Sequence, residues 1–275
     1  MNDKTLSLEP AEQLLALAGD FTRFNDAHAR YALDLHGPSP ATALNTQTES
    51  AQRLARSALT IVDTLNAQPV YHSPEIRAVY ARVRQLAHLA TDAADHLIDA
   101  TDILDDTRAG LPVELDDDVL AILTTQQARQ EAGRRFTLAA SLTALGASDA
   151  LATAELFVAE RRRRGFTPPD QPPALSPAQT TTLRAVARGD VALMSDKPSL
   201  RREDIRVSIS TIRALENRGL VKREDCPDHF RDQRVRLTSA GRRGLAASFA
   251  RPRPTPLTTT QPAALLPSAT ASRSR

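Results

Sequence analysis

Apolar side chains recur every three or four residues through most of the first 165 positions, and this spacing is the strongest constraint on the fold. The clearest run is Leu14, Leu17, Phe21, Phe24, His28, Tyr31 and Leu35. Because this spacing keeps side chains on one face of an α-helix, the run predicts an amphipathic helix. His28 is the polar member of that face, and we interpret it as a hydrogen-bonded core or boundary histidine rather than a ligand.

Three more helices are expected before residue 165, over 51–67, 73–107 and 116–164. The third has the clearest start, because Ser73 supplies a capping hydroxyl and Pro74 suits the first helical position. Gly146 predicts a bend in the fourth. Four long amphipathic helices with short connections are typical of an elongated helical bundle or coiled-coil-like domain, which we place at residues 1–165.

The two ends of the chain carry opposite charge. Residues 1–160 contain 12 Lys and Arg against 23 Asp and Glu, a net charge of −11, whereas residues 161–275 contain 23 against 10, a net charge of +13. A basic region of this size predicts a nucleic acid or another polyanion as partner. The alternative is that the asymmetry has no role beyond solubility.

The basic part divides into a Pro-rich linker at 166–174, a folded region at 175–250 and a tail at 251–275 that we expect to be disordered. Helices are expected after Ser176, after Ser208 or Ser210 and after Thr238, with a short or irregular one around 199–205. Strands are expected at 190–195, from 220 and at 234–237. This order is typical of a winged helix, so the predicted fold class is mainly α, with an α+β winged-helix domain after the bundle.

The segment STIRALENRGLVKRED, followed by RVRLTSAGRRGLA, resembles the recognition helix and wing of MarR-type winged-helix regulators. The matching residues are 210–221 and 237–242, and Asp232-Gln233-Arg234 has the form of the wing motif of that family. The likeness covers about a quarter of the chain. It implies a helix-turn-helix and wing that bind DNA in transcription regulation.

Helical geometry selects the residues that would contact DNA. Ile212 and Leu215 define the buried side of the helix that begins near Ser210. The predicted DNA-binding residues of its outer side are Ser210, Thr211, Arg213 and Asn217, because Arg pairs with guanine, Asn with adenine, and Ser or Thr with bases or phosphates. Phosphate contacts are expected from Arg201, Arg202, Arg206, Arg231, Arg234 and Arg236. The alternative is an ordinary solvated surface.

Two other charged clusters have competing interpretations. The aspartates from Asp92 to Asp106 form a stripe along the third helix. This stripe is a solvated face, a cation site, or a docking surface for the basic part of the same chain that would inhibit DNA binding. Arg161–Arg164 is either a phosphate-binding patch or a favourable placement of cations at a helix end.

Signatures of enzymes, metal sites and cofactor sites are absent from the sequence. It has no phosphate-binding glycine loop, nucleophile elbow or zinc-protease histidine pair. The single cysteine, Cys226, excludes an internal disulfide. We see no signal peptide and no uninterrupted apolar run of membrane-spanning length, so a cytoplasmic protein without membrane contact is expected.

The sequence therefore predicts a transcription-regulator-like protein that binds double-stranded DNA, with the bundle as a homodimerisation or partner-binding domain. Two alternatives stay open. One is a scaffold or interaction protein whose winged helix binds protein. The other is a regulator with a small-molecule effector, whose cavity would be lined by Phe21, Phe24 and Tyr31.

Overall fold

The computed structural model describes residues 9–34, 40–69, 73–115, 119–166, 173–226 and 233–250. The helices are α1 (Glu9–Asp34), α2 (Pro40–Ala67), α3 (Pro74–Ala109), α4 (Thr125–Thr143), α5 (Gly146–Arg163), α6 (Pro177–Ala187), α7 (Ile209–Asn217) and α8 (Ser239–Phe249). The strands are β1 (Val113–Leu115), β2 (Val119–Ala121), β3 (Val191–Met194), β4 (Lys197–Leu200), β5 (Val221–Asp225) and β6 (Gln233–Leu237). The described chain is therefore mainly helical, with a small antiparallel sheet near its C-terminal end.

Helices α1 to α5 form the N-terminal bundle, and the caps of α3 lie where the sequence places them. The Ser73 hydroxyl accepts a hydrogen bond from the backbone N–H of Ile76 at 3.2 Å, and Gly110 ends the helix with a φ of 71°. Because a φ in this region costs glycine nothing, Gly110 stops the helix cleanly. The prediction of the third helix is confirmed, and α2 is longer than predicted, since it begins at Pro40 rather than at residue 51.

The prediction of one long fourth helix over 116–164 is wrong. Strands β1 and β2 pair as a short antiparallel hairpin, and Thr124 then starts α4 with a reciprocal cap to Gln127. The helix breaks again before Gly146, where an added Cβ would lie 2.4 Å from the ring of Phe21. Glycine therefore lets the start of α5 approach α1, which explains the predicted bend at that residue.

The C-terminal sheet has the strand order β4-β3-β6-β5, and all three pairs of neighbours are antiparallel. The predicted helix starts are confirmed, since the hydroxyls of Ser176, Ser208 and Thr238 each accept a backbone N–H at the start of α6, α7 and α8. The expected short helix around 199–205 is not formed. Residues 197–200 are strand β4 instead, so no helix lies between β3 and α7, and the helix-turn-helix pair is absent from this fully described segment.

One continuous apolar core joins the bundle to the C-terminal unit, which we define as α6 to α8 with the sheet. It includes Phe21 and Phe157 of the bundle together with Leu183, Val235 and Leu245 of the C-terminal unit. The unit packs against α1 and α5. The predicted boundary at 166–174 therefore does not divide two separate cores. Residues 167–172 and 227–232 lie outside the described residues, as does 251–275, where a disordered tail is expected.

Candidate nucleic-acid interface

Helix α7 lies on the surface of the C-terminal unit and is held from one side only. Ile212 and Leu215 are fully buried, as the helical spacing predicts. The Ser208 hydroxyl accepts the N–H of Thr211 at 3.2 Å, and Gly219 follows the helix with a φ of 66°. The two buried side chains, the hydroxyl cap and the terminal glycine therefore fix the helix, while its outer side remains exposed to solvent.

The outer side of α7 carries the polar residues that the sequence places there. Ser210, Arg213 and Asn217 are exposed, and Thr211 is half-buried. The hydroxyls of Ser210 and Thr211 lie 2.9 Å and 2.8 Å from that of Ser208. The Asn217 side chain has no hydrogen-bond partner in the part of the chain that the structure describes. An amide in this setting is available to an incoming ligand.

Asp196 links Arg213 to Arg223, and sequence reasoning missed it. It lies in the two-residue turn between β3 and β4, where Ser195 and Asp196 have φ values of 49° and 61°. This is the backbone form of a tight hairpin turn, which Asp tolerates better than most residues. Its carboxylate accepts from Arg213 and, at 2.6 Å, from Arg223. These hydrogen bonds, with that from Arg223 first, lower the pKa of Asp196.

Arginines around α7 differ in how strongly they are already engaged. Arg206 is exposed and has no side-chain partner among the described residues. Arg202 is exposed but forms two hydrogen bonds with Asp204, at 3.0 and 2.9 Å. Arg218, which the sequence argument did not select, reaches Gln179 at 3.0 Å. Arg201 is also exposed. It lies in a cleft with Asn25 and Phe136 of the bundle, away from the outer side of α7. Arg202 and Arg206 precede α7 in the chain and Arg218 follows it, so these three remain candidates for phosphate contacts.

Arg234 and Arg236 are the two predicted contact residues that the structure corrects. They are 1% and 7% exposed and lie on the inner face of the sheet against α1. Both guanidinium groups pair with the buried Asp26, and that of Arg236 does so at 3.2 Å. Arg234 also donates to the Gly189 carbonyl at 2.9 Å, and Arg236 to the Gly19 carbonyl at 3.0 Å. Neither side chain is available to a phosphate. Arg231 lies outside the described residues.

A second acid extends this buried cluster to its edge. Glu224 of β5 accepts from Arg23 of α1 at 3.3 and 3.2 Å and pairs with Arg236 at 2.7 Å. Burial alone would raise the pKa of Glu224. The hydrogen bonds from Arg23 and Lys222 and the charges of Arg23 and Arg236 outweigh it and bring the pKa to about 2. We call Asp26, Arg234, Arg236, Glu224 and Arg23 the interface cluster.

The surface around α7 is less basic than the charge of the C-terminal part implies. Residues 196–225 contain eight Lys and Arg against six Asp and Glu, a net charge of +2. Part of the remaining positive charge neutralises the bundle, through Arg184 with Glu155 at 3.3 Å and the interface cluster. The opposite charges of the two parts therefore serve, in part, to hold the chain together.

The other two charged clusters lie away from α7. In the aspartate stripe, Asp99 pairs with Arg135 at 3.2 Å and Asp105 with Arg108 at 2.6 Å. No group of three or more possible metal ligands is found among the described residues. Among the described residues, the acids of the bundle that pair with the C-terminal unit are Glu12, Asp26 and Glu155, which lie on α1 and α5 rather than on the stripe. The described part of the C-terminal unit therefore does not dock through the stripe.

The arginines of Arg161–Arg164 mainly form contacts at the C-terminal end of α5. Arg161 is buried, with its guanidinium 4.7 Å from the ring centre of Phe166 and 5.7 Å from that of Phe157. Arg163 and Arg164 both pair with Glu160, at 2.9 and 3.2 Å. Of the two interpretations, the contacts favour cation placement at a helix end over a phosphate patch.

His28 is the hydrogen-bonded core histidine that the sequence predicts. Its Nε2 donates to the Phe136 carbonyl at 2.9 Å, and its ring stacks on that of Phe136 with centres 3.5 Å apart. Burial lowers the pKa of His28 to about 4. Of the three aromatic residues expected to line a cavity, Phe21 and Phe24 are packed in the core, and Tyr31 borders an open cleft.

One described stretch, Thr125–Arg163, is long and apolar enough to cross a membrane by length and composition. Half of its most apolar window is buried inside the bundle, and the stretch is interrupted between α4 and α5. The core helix of a soluble protein passes the same test, so the stretch is weak evidence for a membrane.

No protein-family model, no curated protein and no solved structure matches this chain. The residues themselves therefore carry the functional argument.

Proposed function

We propose that the protein binds double-stranded DNA through the outer side of α7, in the manner of a transcriptional regulator. The observation that carries this proposal is a capped surface helix with Ser210, Arg213 and Asn217 exposed side by side. A helix of this kind fits the major groove of B-DNA, which is about 12 Å wide. The residue types are those that pair with base edges.

The topology around α7 supports a variant of the winged helix. Strands β3, β6 and β5 lie in the order of the three strands of that fold, and α7 enters β5 through Gly219. The β3–β4 hairpin occupies the position in the chain at which the MarR-type resemblance implies a helix. Its turn residue Asp196 contacts Arg213 directly, so the hairpin turn lies beside the outer side of α7.

Binding would exchange one hydrogen-bond partner of Arg213 for another. In the free protein its guanidinium pairs with Asp196, and on DNA it would turn to the O6 and N7 atoms of a guanine. Asn217 lies one turn further along α7 and would pair with adenine. Because Arg213 leaves a carboxylate to reach a base, the gain in affinity is smaller than for an unpaired arginine.

Phosphate contacts in this proposal come from Arg202, Arg206 and Arg218. With about three phosphates neutralised, the logarithm of the binding constant should fall with the logarithm of salt concentration with a slope of about −3. Phosphate contacts from Arg231 and from the basic tail would make this slope steeper. We also propose a homodimer on DNA, because paired half-sites are the usual arrangement for such helices.

The test is an anisotropy titration of the full chain against a mixed-sequence duplex at two salt concentrations. Arg213→Ala/Asn217→Ala should weaken binding about 10- to 100-fold, since each base contact contributes about 1–3 kcal/mol and Arg213 gives up a carboxylate. The matched control is Arg82→Ala/Asn66→Ala, at exposed helix positions of the bundle.

Equal loss in both double variants, or none in either, would mean charge attraction without recognition by α7. Absence of binding at low salt would reject the DNA proposal and leave the scaffold interpretation. The variants should unfold at the wild-type temperature, because neither Arg213 nor Asn217 contributes to the core.

A further inference from the structure

A cleft of about 540 Å³ lies between α1 and α2, on the bundle side of the interface cluster. Arg23, Ala27 and Tyr31 line it from α1 at intervals of four residues, so they form one stripe along that helix. Gln47 and Leu54 line it from α2. The volume is within the range of about 300–1,000 Å³ that small-molecule sites occupy.

The cleft is positively charged although it lies in the acidic part of the chain. Its lining contains Arg23, Arg53 and Arg56 against one acid, Asp20. Arg23 is already engaged by Asp20 at 2.7 Å and by Glu224. In Arg53, only the Nε–H donates a hydrogen bond, to the Glu49 carbonyl at 3.4 Å. The Arg56 side chain has no partner within the described ranges. Two exposed guanidinium groups therefore keep donors for an anion.

A buried acceptor lies in the same cleft. Gln47 is 1% exposed, and its side-chain oxygen has no hydrogen-bond partner among the described residues. An unsatisfied buried acceptor is costly, so a bound hydroxyl or amine that donates to it would gain affinity. Leu54, Ala27 and Tyr31 also line the cleft and supply apolar surface.

We propose that this cleft binds a small organic acid that carries an apolar body and a hydrogen-bond donor. The carboxylate lies at Arg53 and Arg56, because their donors are free and Arg23 is already paired. The apolar body packs against Leu54 and Tyr31, and the donor reaches the Gln47 oxygen. The site does not depend on DNA binding by α7, and its test uses no DNA.

Three probes separate the three elements of the site in calorimetric titrations of the full chain. 4-Hydroxybenzoate has the acid, the ring and the donor, benzoate lacks the donor, and 4-hydroxybenzamide lacks the charge. We expect 4-hydroxybenzoate to bind with one-to-one stoichiometry and a Kd of about 0.1–1 mM. Benzoate should bind about 10-fold more weakly, and the amide should not saturate.

Arg53→Gln/Arg56→Gln should weaken binding of 4-hydroxybenzoate at least about tenfold, because charge-assisted hydrogen bonds are among the stronger ones. The control is Arg77→Gln/Arg82→Gln, which removes two exposed arginines of α3 that do not line the cleft, and it should bind as the wild type does. Circular dichroism of both variants checks that the bundle is retained.

Three results would overturn the proposal. The first is no saturation by either benzoate probe up to about 10 mM. The second is equal binding of the acid and the amide. The third is displacement by inorganic phosphate at the same concentration, which would mean that the arginines attract anions without a shaped site.

Discussion

Arginine has opposite roles on the two sides of the C-terminal unit. On the inner side, Arg234 and Arg236 are buried against α1 and paired with Asp26, and Arg236 also pairs with Glu224. On the outer side, Arg213 is exposed, and its partner Asp196 lies in a surface turn. Arginines of one basic segment thus bind the C-terminal unit to the bundle on one face and are accessible to a ligand on the other.

This difference shows why a charge count cannot locate a binding surface. Removing one partner of a buried ion pair leaves an uncompensated charge in an apolar setting, whereas an exposed pair exchanges with water at little cost. The two faces should therefore respond differently to substitution, pH and salt.

The largest effect is expected from Asp26→Asn, which leaves the buried guanidinium of Arg234 without a carboxylate and that of Arg236 with Glu224 alone. We expect the free energy of unfolding to fall by about 3–5 kcal/mol, measured by urea denaturation. Asp204→Asn, which breaks the exposed pair with Arg202, should leave the midpoint unchanged. A similar small effect of both substitutions would remove the distinction between the two faces.

The next effect is on pH dependence. Because the pKa of Glu224 is about 2 in the folded chain, against an ordinary value of 4.5, its stabilising effect is present above pH 4.5. It should be lost as pH falls from about 4.5 through about 2, by on the order of 2 kcal/mol after allowance for partial exposure. Urea denaturation at pH 6 and pH 3 measures the loss, and Glu224→Gln should reduce it. An unchanged difference in Glu224→Gln would assign the acid sensitivity to other groups.

The smallest effect is expected from Asp196→Asn, which releases Arg213 on the outer face and leaves Arg223 bound to Glu216. The variant should bind duplex DNA a few-fold more tightly at low salt, since a competing carboxylate is gone, and high salt should reduce that gain. Anisotropy titrations at two salt concentrations measure both. Weaker binding would instead mean that Asp196 is needed to orient Arg213.

Sequence patterns within one short segment predicted α7 well, whereas they could not predict the interface cluster. Ser208, Gly219 and the spacing of Ile212 and Leu215 are all contained in one short segment, so cap, end and buried side could be predicted together. Arg234 lies 208 positions from its partner Asp26, and nothing near it in the sequence indicates burial. In the sequence, charges that alternate along a strand look the same whether they face solvent or another element. The burial of Arg234 could therefore be recognised only once the packing of β6 against α1 was known.

The helix expected at 199–205 shows a second limit. Strand β4 pairs with β3 over four positions through a two-residue turn at Ser195 and Asp196, and this pairing outweighs the helical tendency of the residues that follow. A glycine within the 237–242 segment of the MarR-type resemblance illustrates the same point. Gly241 faces the Leu220 carbonyl so closely that a Cβ would lie 1.9 Å away, a constraint that only the fold reveals.

Hydrogen–deuterium exchange of the full chain, with and without duplex DNA at low salt, tests DNA binding by α7 most directly. We expect added protection in peptides that cover 209–218, and no change at 233–237, where the backbone is already paired in the sheet and the arginines are buried. Protection confined to other segments, or a change at 233–237 without one at 209–218, would contradict it.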